Sequence, residues 1–366
     1  MKRKVCHITS VHNRYDIRIF IKQCKSLANN GYDVTLLVND DKEDEIIDKV
    51  QIVSTQYKPK NRIDRFINSR KKLINKAIEV DSDIYQLHDP DLLPIGNKLK
   101  RMGKKVIFDS HEDVPRQIKD KKWIPKIIRN CISKVYESYE KASVKRYDAI
   151  ISVTPHIVER FKAINAQSVM VTNYPIIDVD EKIVRNPTNV IGFAGGITEQ
   201  YKHHNVLKAI ENIENIRYIL AGGTTDAYLE YLKTFPAWAK VEYIGKIPQW
   251  EVKDIYKKSI MGIAIHKSTQ LGELGSLGVI KLFEFMESKL PVICTNYFLW
   301  QQVVEEYKCG ICVDPNNIEE IKEAVEYIIN NPLEARKMGR NGRRAVIEKY
   351  NWGTQEIELL NLYNEI

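Results

Sequence analysis

The stretch VIGFAGGITEQYKHHNVLKAIENIENIRYILAGG, residues 190–223, decides the fold class. It begins with a short apolar run, passes through two glycines into a segment of helical length, and ends with a second apolar run that again meets glycine. A strand, a helix and a second strand in this order form a βαβ unit, whose two strands lie parallel in one sheet. The stretch therefore predicts an α/β fold.

The same alternation extends in both directions from this unit. Seven strand-like runs lie upstream, from VCHITS to SVMVTN, and four more lie downstream, from VEYIG to CGICVD. A polar, proline-containing stretch at 173–189 separates the two series. We therefore predict two Rossmann-like, doubly wound domains of parallel sheets, 1–180 and 188–350, facing each other across a cleft that forms the site. A terminal helix, 351–366, is expected to cross back onto the first domain.

The composition is typical of an ordinary globular protein. Of the 366 residues, 43% are hydrophobic and 28% are charged. No run approaches the roughly 18 apolar residues of a membrane-spanning helix, and polar residues interrupt the basic start MKRKVCHITSVHN before it forms a signal-peptide core. Six scattered cysteines predict reduced, mostly buried thiols. We expect a cytoplasmic protein and leave peripheral attachment at the inner face of the cell membrane open.

The positive charge is concentrated in the first half of the chain. Residues 1–186 carry a net charge of +11 and residues 187–366 a net charge of −3. This asymmetry indicates an anionic partner, such as a membrane surface, nucleic acid or a phosphorylated substrate. The surplus clusters at 62–76 and 119–129, where basic and apolar side chains alternate as at an anionic membrane interface. For the first segment a core-facing apolar stripe is an equally open alternative, and we expect no nucleic acid.

Two features of the second half suit a nucleotide diphosphate. Gly195 and Gly196 lie at a strand-to-helix turn and Lys202 follows, so backbone N–H groups can approach phosphate oxygens beside a countercharge. Glu284, within GVIKLFEFMESKLPVI (278–293), lies near the start of a predicted helix, where its carboxylate can accept two ribose hydroxyls. The alternatives are a tight turn beside a solvated lysine and a plain exposed glutamate.

Other strands of the second half also end in segments suited to a ligand. AGG (221–223) and YIGKIP (243–248) end strands in glycine, which lets the backbone approach a base or phosphate. AIHKSTQLGELGSLG (264–278) is a long polar loop, and such loops are uncommon in compact domains unless they are functional. Its Ser268 and Glu273 could line a sugar pocket; the alternative is a mobile surface loop.

In the first half, HDPDLLP (88–94) and DSHED (109–113) both follow apolar strands. His88, Asp89, His111 and Glu112 are thereby placed at strand carboxyl ends, where doubly wound domains bind ligands. A single such histidine is more often structural. Two strands that end alike make a substrate-facing edge an equal alternative.

The chain resembles the retaining GT-B glycosyltransferases of family four, the group 1 kind, over nearly its whole length. In the first half the resemblance rests on SVHNRYDIRIFIKQCKSLANNGYDVTLLV, HDPDLLPIGNKLK and KKVIFDSHED. In the second half it rests on GFAGGITEQYKHH, KLFEFMESKLPVICT and MGRNGRRAVIEKYNWGTQEIELLNLY. The resemblance implies that the first domain mainly holds the acceptor and the second the nucleotide sugar. It also implies roles for Glu284 at the ribose, Lys202 at the diphosphate and His111 at the reacting sugar.

Three departures from the family pattern matter. The family's second glutamate corresponds to Ser276 here, and the nearest carboxylate is Glu273. The arginine that usually follows the glycine of the phosphate loop corresponds to Gly196, which leaves more of the charge to Lys202. The glycine-rich loop after the first strand is replaced by SVHNRYDIR, where Asp16 or Arg18 is expected to contact the acceptor or the diphosphate.

The expected activity is transfer of a sugar from a nucleotide-diphosphate sugar, with a UDP-sugar favoured, to a hydroxyl of a glycan or lipid-linked glycan. Transfer is expected to proceed with retention, to serve cell-surface polysaccharide biosynthesis and to require no cofactor or metal. The expected catalytic residues are Lys202 and His111. The donor-binding candidates are Gly195, Gly196, Lys202, Gly222, Lys246, His266, Glu273, Ser276, Lys281 and Glu284. The acceptor-binding candidates are Asp16, Arg18, His88, Asp89 and Glu112.

Two alternative functions remain open from the sequence. One is a sugar-nucleotide epimerase of the same fold, which would use paired acid and base groups near the anomeric carbon. The other is a catalytically silent subunit that binds a partner enzyme, which Ser276 and Gly196 favour.

Overall fold

The computed structural model describes residues 2–111, 113–120, 124–181, 183–185, 187–267, 271 and 274–366. The chain divides into two compact units. Unit 1 comprises Met1–Asn173 together with Trp352–Ile366, and unit 2 comprises Tyr174–Asn351. Both are α/β units with Rossmann-like parallel sheets, which confirms the predicted fold class.

Unit 1 is built on an eight-stranded sheet with the order β3-β4-β2-β1-β5-β6-β7-β8. Its strands are β1 (Lys4–Ile8), β2 (Asp33–Val38), β3 (Glu45–Ile47), β4 (Val50–Ser54), β5 (Ile84–Leu87), β6 (Lys105–Ser110), β7 (Ala149–Ser152) and β8 (Ser168–Met170). Its helices are Ile17–Cys24, Lys25–Asn29, Arg62–Asp64, Arg65–Ser69, Arg70–Val80, Pro90–Leu92, Leu93–Arg101, Val114–Asp120, Lys126–Val144, Pro155–Lys162 and Trp352–Glu365. The strand order reverses between β1 and β5, so a ligand site is expected beyond the carboxyl ends of these two strands.

The core of unit 1 lies on both faces of the sheet, because side chains alternate along each strand. Val5 packs into one hydrophobic cluster, and its neighbour Cys6 packs into the other. The carboxy-terminal helix contributes Leu359 and Tyr363 to the first cluster. Trp352, at the start of this helix, donates its indole N–H to Ser26 Oγ at 3.0 Å. The last helix is therefore part of the core of unit 1.

Unit 2 has a six-stranded parallel sheet with the order β11-β10-β9-β12-β13-β14. Its strands are β9 (Val190–Ala194), β10 (Arg217–Ala221), β11 (Val241–Gly245), β12 (Met261–Ala264), β13 (Val292–Thr295) and β14 (Gly310–Val313). Its helices are Glu199–Tyr201, His203–Ile210, Asp226–Lys233, Pro236–Lys240, Gln249–Lys258, Lys281–Glu287, Phe298–Tyr307, Ile318–Asn330 and Pro332–Glu348. This order is that of a dinucleotide-binding sheet, with the reversal between β9 and β12.

Two expectations need correction. The first domain ends at Asn173 and not at 180, because the ring of Tyr174 packs on Phe283 and Tyr350, at centroid distances of 4.8 and 5.5 Å, in the core of unit 2. The first sheet is not wholly parallel, since β3 pairs antiparallel with β4 at its edge. Asp48 and Lys49, both with positive φ, form the tight turn between them.

No helix in the described part of the chain is both long and apolar enough to cross a membrane.

Candidate functional site

Two glycine turns meet at the carboxyl end of the sheet in unit 2. Gly195 follows β9 with a φ of +154°, and Gly222 follows β10 with a φ of +143°. The Gly195 N–H donates to Ala221 O at 2.8 Å. A Cβ atom at Gly222 would lie 1.7 Å from the Gly195 carbonyl oxygen, so only glycine fits there. The turns therefore present bare backbone at the edge where nucleotides bind in such sheets.

The aliphatic part of a lysine side chain covers each glycine turn. A Cβ atom at Gly195 would lie 2.6 Å from Lys281 Cε, and one at Gly223 would lie 2.7 Å from Lys246 Cε. Gly196 is open, since the nearest atom to its added Cβ is a methyl carbon of Thr198 at 3.8 Å. Two ammonium groups and exposed backbone thus lie near the ends of β9 and β10, an arrangement suited to a diphosphate.

Glu284 lies on the short helix Lys281–Glu287 and forms an ion pair with Lys281, three residues earlier. The neighbours Leu282, Phe283, Phe285 and Met286 are fully buried, which fixes the helix in the core. Burial raises the pKa of the Tyr201 hydroxyl, and the charge of Glu284 raises it further. The carboxylate therefore lies beside both the first glycine turn and the residues that follow it.

Lys202 ends the loop after β9 in a left-handed conformation, with φ +45° and ψ +33°. A non-glycine residue in this conformation is strained, and such strain is concentrated at functional sites. Lys202 is half-buried and caps the helix His203–Ile210. The pKa of His204 is lowered by burial and then by the charge of Lys202.

His266 follows β12, directly beside the point where the strand order reverses. Thr295 Oγ1 accepts the His266 backbone N–H and donates to its carbonyl oxygen, both at 2.8 Å. The Tyr201 ring lies edge-on to the imidazole, with the centroids 4.8 Å apart. Burial lowers the pKa of His266 to about 4, so the ring is neutral at pH 7. Within the described residues, its buried Nδ1 has no hydrogen-bond partner.

Ser276 is buried in a local turn. Its Oγ accepts the Gly278 N–H at 3.0 Å, and its carbonyl oxygen accepts the Trp300 indole N–H at 2.8 Å. The serine side chain thus has a partner within the loop. Glu273 and Ser268 lie outside the described residues, so their predicted roles stay predictions.

In unit 1, Asp109 is the centre of a buried polar cluster at the end of β6. Arg18 donates to its two oxygens at 2.7 and 3.1 Å, and Gln23 donates to one of them at 2.8 Å. Burial opposes ionisation, but the charge of Arg18 and the hydrogen bonds hold the pKa of Asp109 well below its usual value. Arg18, predicted to contact a ligand, is thereby bound within its own unit.

Three histidines surround this cluster. His7 Nδ1 lies 2.9 Å from His88 Nε2, and burial lowers the pKa of both rings. His88 Nδ1 and His111 Nε2 each lie 3.2 Å from the same Asp109 oxygen. This spacing would also suit a metal ion, because the ligand atoms of His88, Asp109 and His111 lie within 4.8 Å of one another. The Arg18 guanidinium on both Asp109 oxygens makes a cation unfavourable there.

Two further acceptor candidates also have structural partners. Asp89 accepts hydrogen bonds from Thr9 Oγ1 at 2.8 Å and from the Ser10 N–H at 2.6 Å, and lies 3.2 Å from His12 Nδ1. Despite burial, these contacts lower the pKa of Asp89 to about 2. Asp16 caps the helix Ile17–Cys24 by accepting two backbone N–H groups. Glu112 lies outside the described residues.

A cavity of about 230 Å³ opens beyond the ends of β5 and β6. The side chains that line it include those of His12, Arg65, Asp91, Phe108, His111 and Val114, together with His88 and Asp89. Arg65 and Asp91 are absent from the predicted site. Asp91 follows Asp89 in the HDPDLLP motif, whereas no pattern marks Arg65 apart from the other basic residues of its segment.

Two family models match the chain. The model for glycosyl transferases of group 1 matches residues 177–345, and the model for glycosyltransferase family 4 matches residues 18–181. Sucrose-phosphate synthase from Thermosynechococcus elongatus has the same fold, with a TM-score of 0.75 at 16% identity over 100% of this chain and 99% of that chain. The chain belongs to the GT-B glycosyltransferases.

Two other relatives resemble this glycosyltransferase. HepE from Anabaena, in complex with UDP, has a TM-score of 0.71 at 11% identity over 100% of both chains, which shows the fold alone. An uncharacterized glycosyltransferase of Methanocaldococcus jannaschii is 24% identical over 185 residues, 49% of this chain and 46% of that protein. The chain spans less than half the length of the curated relatives that it matches.

The structure brings only some of the predicted residues of the glycosyltransferase together. In unit 2, Gly195, Gly222, Lys281 and Glu284 form one group at the ends of β9 and β10. In unit 1, His88, Asp89 and His111 line one cavity. Arg18 and Asp16 hold the fold around that cavity.

Proposed function

We propose that this glycosyltransferase transfers a sugar from a UDP-sugar to a hydroxyl of a glycan or lipid-linked glycan, with retention of the anomeric configuration. One observation carries the proposal. Two bare glycine turns at the edge of the sheet in unit 2 are each covered by a lysine, and the carboxylate of Glu284 lies beside them. This combination suits a diphosphate joined to a ribose.

Electrostatic stabilisation is the proposed source of catalysis. Breaking the anomeric C–O bond places charge on the leaving diphosphate. Lys281, Lys246 and the backbone N–H groups of the glycine turns suit that charge, and Lys202 adds a third ammonium group from the loop after β9. Glu284 is proposed to accept hydrogen bonds from the ribose hydroxyls.

We propose that retention results from attack by the acceptor hydroxyl on the same face of the donor sugar from which the leaving group departs. The ion pair with Lys281 suits Glu284 to accept hydrogen bonds and not to act as a covalent nucleophile. In unit 1, Asp109 lies 3.2 Å from His111, and we propose that His111 faces the reacting sugar.

The preference for uridine rests on fold analogy. HepE, whose whole chain shares this fold, is known in complex with UDP. The dinucleotide-type order of the sheet in unit 2 supports this proposal, because the candidate donor residues follow strands at the edge where such sheets generally bind nucleotides.

An anionic membrane is the proposed partner of unit 1, as the place where a lipid-linked acceptor of a cell-surface polysaccharide is reached. Large apolar side chains are exposed within the basic segments 62–76 and 119–129, namely Ile63, Phe66, Ile67, Ile127 and Ile128. Part of the first segment instead faces the core through Leu73 and Ile74, as the alternative interpretation held. Lys121, Lys122 and Trp123 lie outside the described residues.

Thermal-shift measurements with UDP-, GDP- and dTDP-sugars test the proposed donor. We expect stabilisation by one or more UDP-sugars, since a ligand that binds only the folded state raises its stability by mass action. Release of UDP on addition of glycan or lipid-linked acceptors then tests transfer, and NMR of the product gives its anomeric configuration. Stabilisation by the GDP- or dTDP-sugars alone would overturn the choice of uridine, and an inverted product would overturn retention.

A further inference from the structure

Arg65 and Asp91 both line the cavity of unit 1 and form an ion pair without a direct hydrogen bond. Arg65 Nε lies 3.6 Å from Asp91 Oδ2. This nitrogen is buried, and within the described residues it has no hydrogen-bond partner. A buried donor without a partner is costly, so such a donor in a cavity indicates a ligand atom that completes it.

The separation suits a hydroxyl group. At 3.6 Å the two atoms are too far apart to bond to each other. A hydroxyl placed beside both can accept a hydrogen bond from Arg65 Nε and donate its own proton to Asp91 Oδ2. Hydroxyl groups have one donor and two acceptor sites, so both contacts can form at once.

The charges around the cavity favour a neutral ligand. Asp89 is paired with His12, Asp109 with Arg18, and Asp91 with Arg65. Burial opposes protonation of His12, but the hydrogen bond and charge of Asp89 raise its pKa, which favours the charged pair. A phosphate bound in the cavity would lie near carboxylates that no surplus of cations offsets. A polyol instead requires both hydrogen-bond donors and acceptors, and the side chains that line the cavity supply both.

The size of the cavity restricts the ligand further. Its volume of about 230 Å³ is below the roughly 300–1,000 Å³ of pockets for drug-sized ligands. One sugar ring is therefore a better match than an oligosaccharide. Phe108 and Val114 add apolar surface to the wall, against which the carbon face of a sugar ring can pack.

We propose that this cavity binds the terminal sugar residue of the acceptor, and that Arg65 and Asp91 select it by binding one of its hydroxyls. The inference rests on the proposed function and extends it to the acceptor. His111 lines the same cavity, so the bound residue lies beside the histidine assigned to the reacting sugar. Arg65 also begins the helix Arg65–Ser69, whose Phe66 and Ile67 are exposed, which places the proposed membrane-facing segment next to the cavity.

Saturation-transfer NMR with methyl glycosides tests this assignment on the full chain. The probes are the methyl glycosides of glucose, galactose, mannose and N-acetylglucosamine, with inorganic phosphate as the anionic alternative. We expect at least one glycoside to bind wild type, and about tenfold weaker binding in Arg65→Gln and Asp91→Asn, as for loss of a hydrogen bond to a charged group. Lys98→Gln removes an exposed charge away from the cavity lining and should bind like wild type.

Arg65→Lys keeps the charge but lacks the Nε donor, so we expect it to bind as weakly as Arg65→Gln. This variant separates hydrogen bonding from charge if either neutral variant unfolds. The inference would be overturned if no glycoside bound wild type or if only phosphate bound. It would also be overturned if Arg65→Lys and wild type bound the glycosides equally well. UDP-sugar stabilisation should be unchanged in all variants. If UDP-sugars did not stabilise wild type but glycosides still bound in a manner that depends on Arg65, the proposed donor would be overturned and the cavity assignment would be supported.

Discussion

Arg18 donates to both carboxylate oxygens of Asp109, at 2.7 and 3.1 Å, at the carboxyl end of β6. Asp109 is completely buried, and Arg18 is 6% exposed. The same guanidinium also donates to the Val171 carbonyl oxygen at 2.9 Å. The pair thus joins the helix after β1 to the strand that precedes His111.

Arg18→Met should destabilise unit 1 strongly, because it leaves the Asp109 charge buried without its cation. We expect a loss of about 3–5 kcal/mol in the free energy of unfolding, as for other broken buried pairs. Urea denaturation measures it. Arg217→Met is the control, since Arg217 and Glu242 form an exposed pair whose loss should cost about 0–1 kcal/mol. Equal losses in the two variants would contradict the structural role given to Arg18.

Lys202→Ala and Glu284→Ala should each abolish sugar transfer while the fold stays intact. Loss of Lys281 alone should lower kcat by about 10²–10³-fold, the effect of removing one group that stabilises developing charge. Rates of UDP release in the presence of acceptor measure all three variants, and circular dichroism checks the fold. Lys233→Ala, an exposed lysine on another helix of unit 2, is the control. Turnover like that of wild type in either of the first two variants would rule out the donor-site assignment.

The alternation of apolar runs and helical segments was sufficient to predict the fold. Every strand predicted in unit 2 is present, because the strands of a parallel sheet appear as nearly continuous apolar runs. The edge strand β3 leaves no such signal, since three residues are too few to show a pattern. The predicted boundary at 180 lies later than the observed one, because no signal in the sequence shows which unit Tyr174 packs against.

The sequence was less informative about the site than about the fold. Glycines and motif positions predicted the turns at Gly195 and Gly222, since backbone constraints leave a local signal. Arg65 cannot be predicted, because it lies in a strongly basic segment and its proposed role depends on Asp91, which is 26 positions later in the chain. The sequence predicts a ligand contact for Arg18, because nothing in its own segment shows that Asp109 is its partner.

The stability of unit 2 should depend on pH through a buried histidine, His203, and a half-buried glutamate, Glu287, with opposite effects. Burial lowers the pKa of His203 to about 3 from 6.5, so the unfolded state binds the extra proton and stability falls as the pH drops below about 6.5. Burial raises the pKa of Glu287 to about 7 from 4.5, although Lys253 opposes it, so stability falls as the pH rises from about 4.5 to 7.

The two variants His203→Gln and Glu287→Gln separate these effects. Between about pH 5 and 6, buried His203 makes the free energy of unfolding rise with pH. His203→Gln should lower this slope by up to about 1.4 kcal/mol per pH unit. Glu287→Gln should increase the slope by a similar amount. Urea denaturation at several pH values measures both slopes. A change of the same sign in the two variants would contradict the burial of one of the groups.

Binding to anionic membranes should depend on the exposed apolar residues of the helix Lys126–Val144. Ile127 is 93% exposed and Val135 is 64% exposed. Ile127→Asp with Val135→Asp should weaken binding to vesicles of phosphatidylglycerol and phosphatidylcholine, as measured by flotation, because a carboxylate is repelled by the anionic surface. Ile46→Asp, at a 76% exposed position on β3, is the control. Flotation of the double variant equal to that of Ile46→Asp would argue against this surface.

Gly196→Arg should strengthen donor binding. The resemblance implies an arginine at this position of the phosphate loop, and the structure leaves room for one, since only a Thr198 methyl group lies near the added Cβ. A further guanidinium beside the diphosphate would add charge-assisted hydrogen bonds, each worth about 1.5–3 kcal/mol at most. We expect the KM for the nucleotide sugar to fall by about tenfold or more.

Gly222→Ala should instead abolish donor binding, because its Cβ would lie 1.7 Å from the Gly195 oxygen. If Gly196→Arg left the KM unchanged while Gly222→Ala abolished binding, the diphosphate would lie away from Gly196, nearer Gly223 and Lys246.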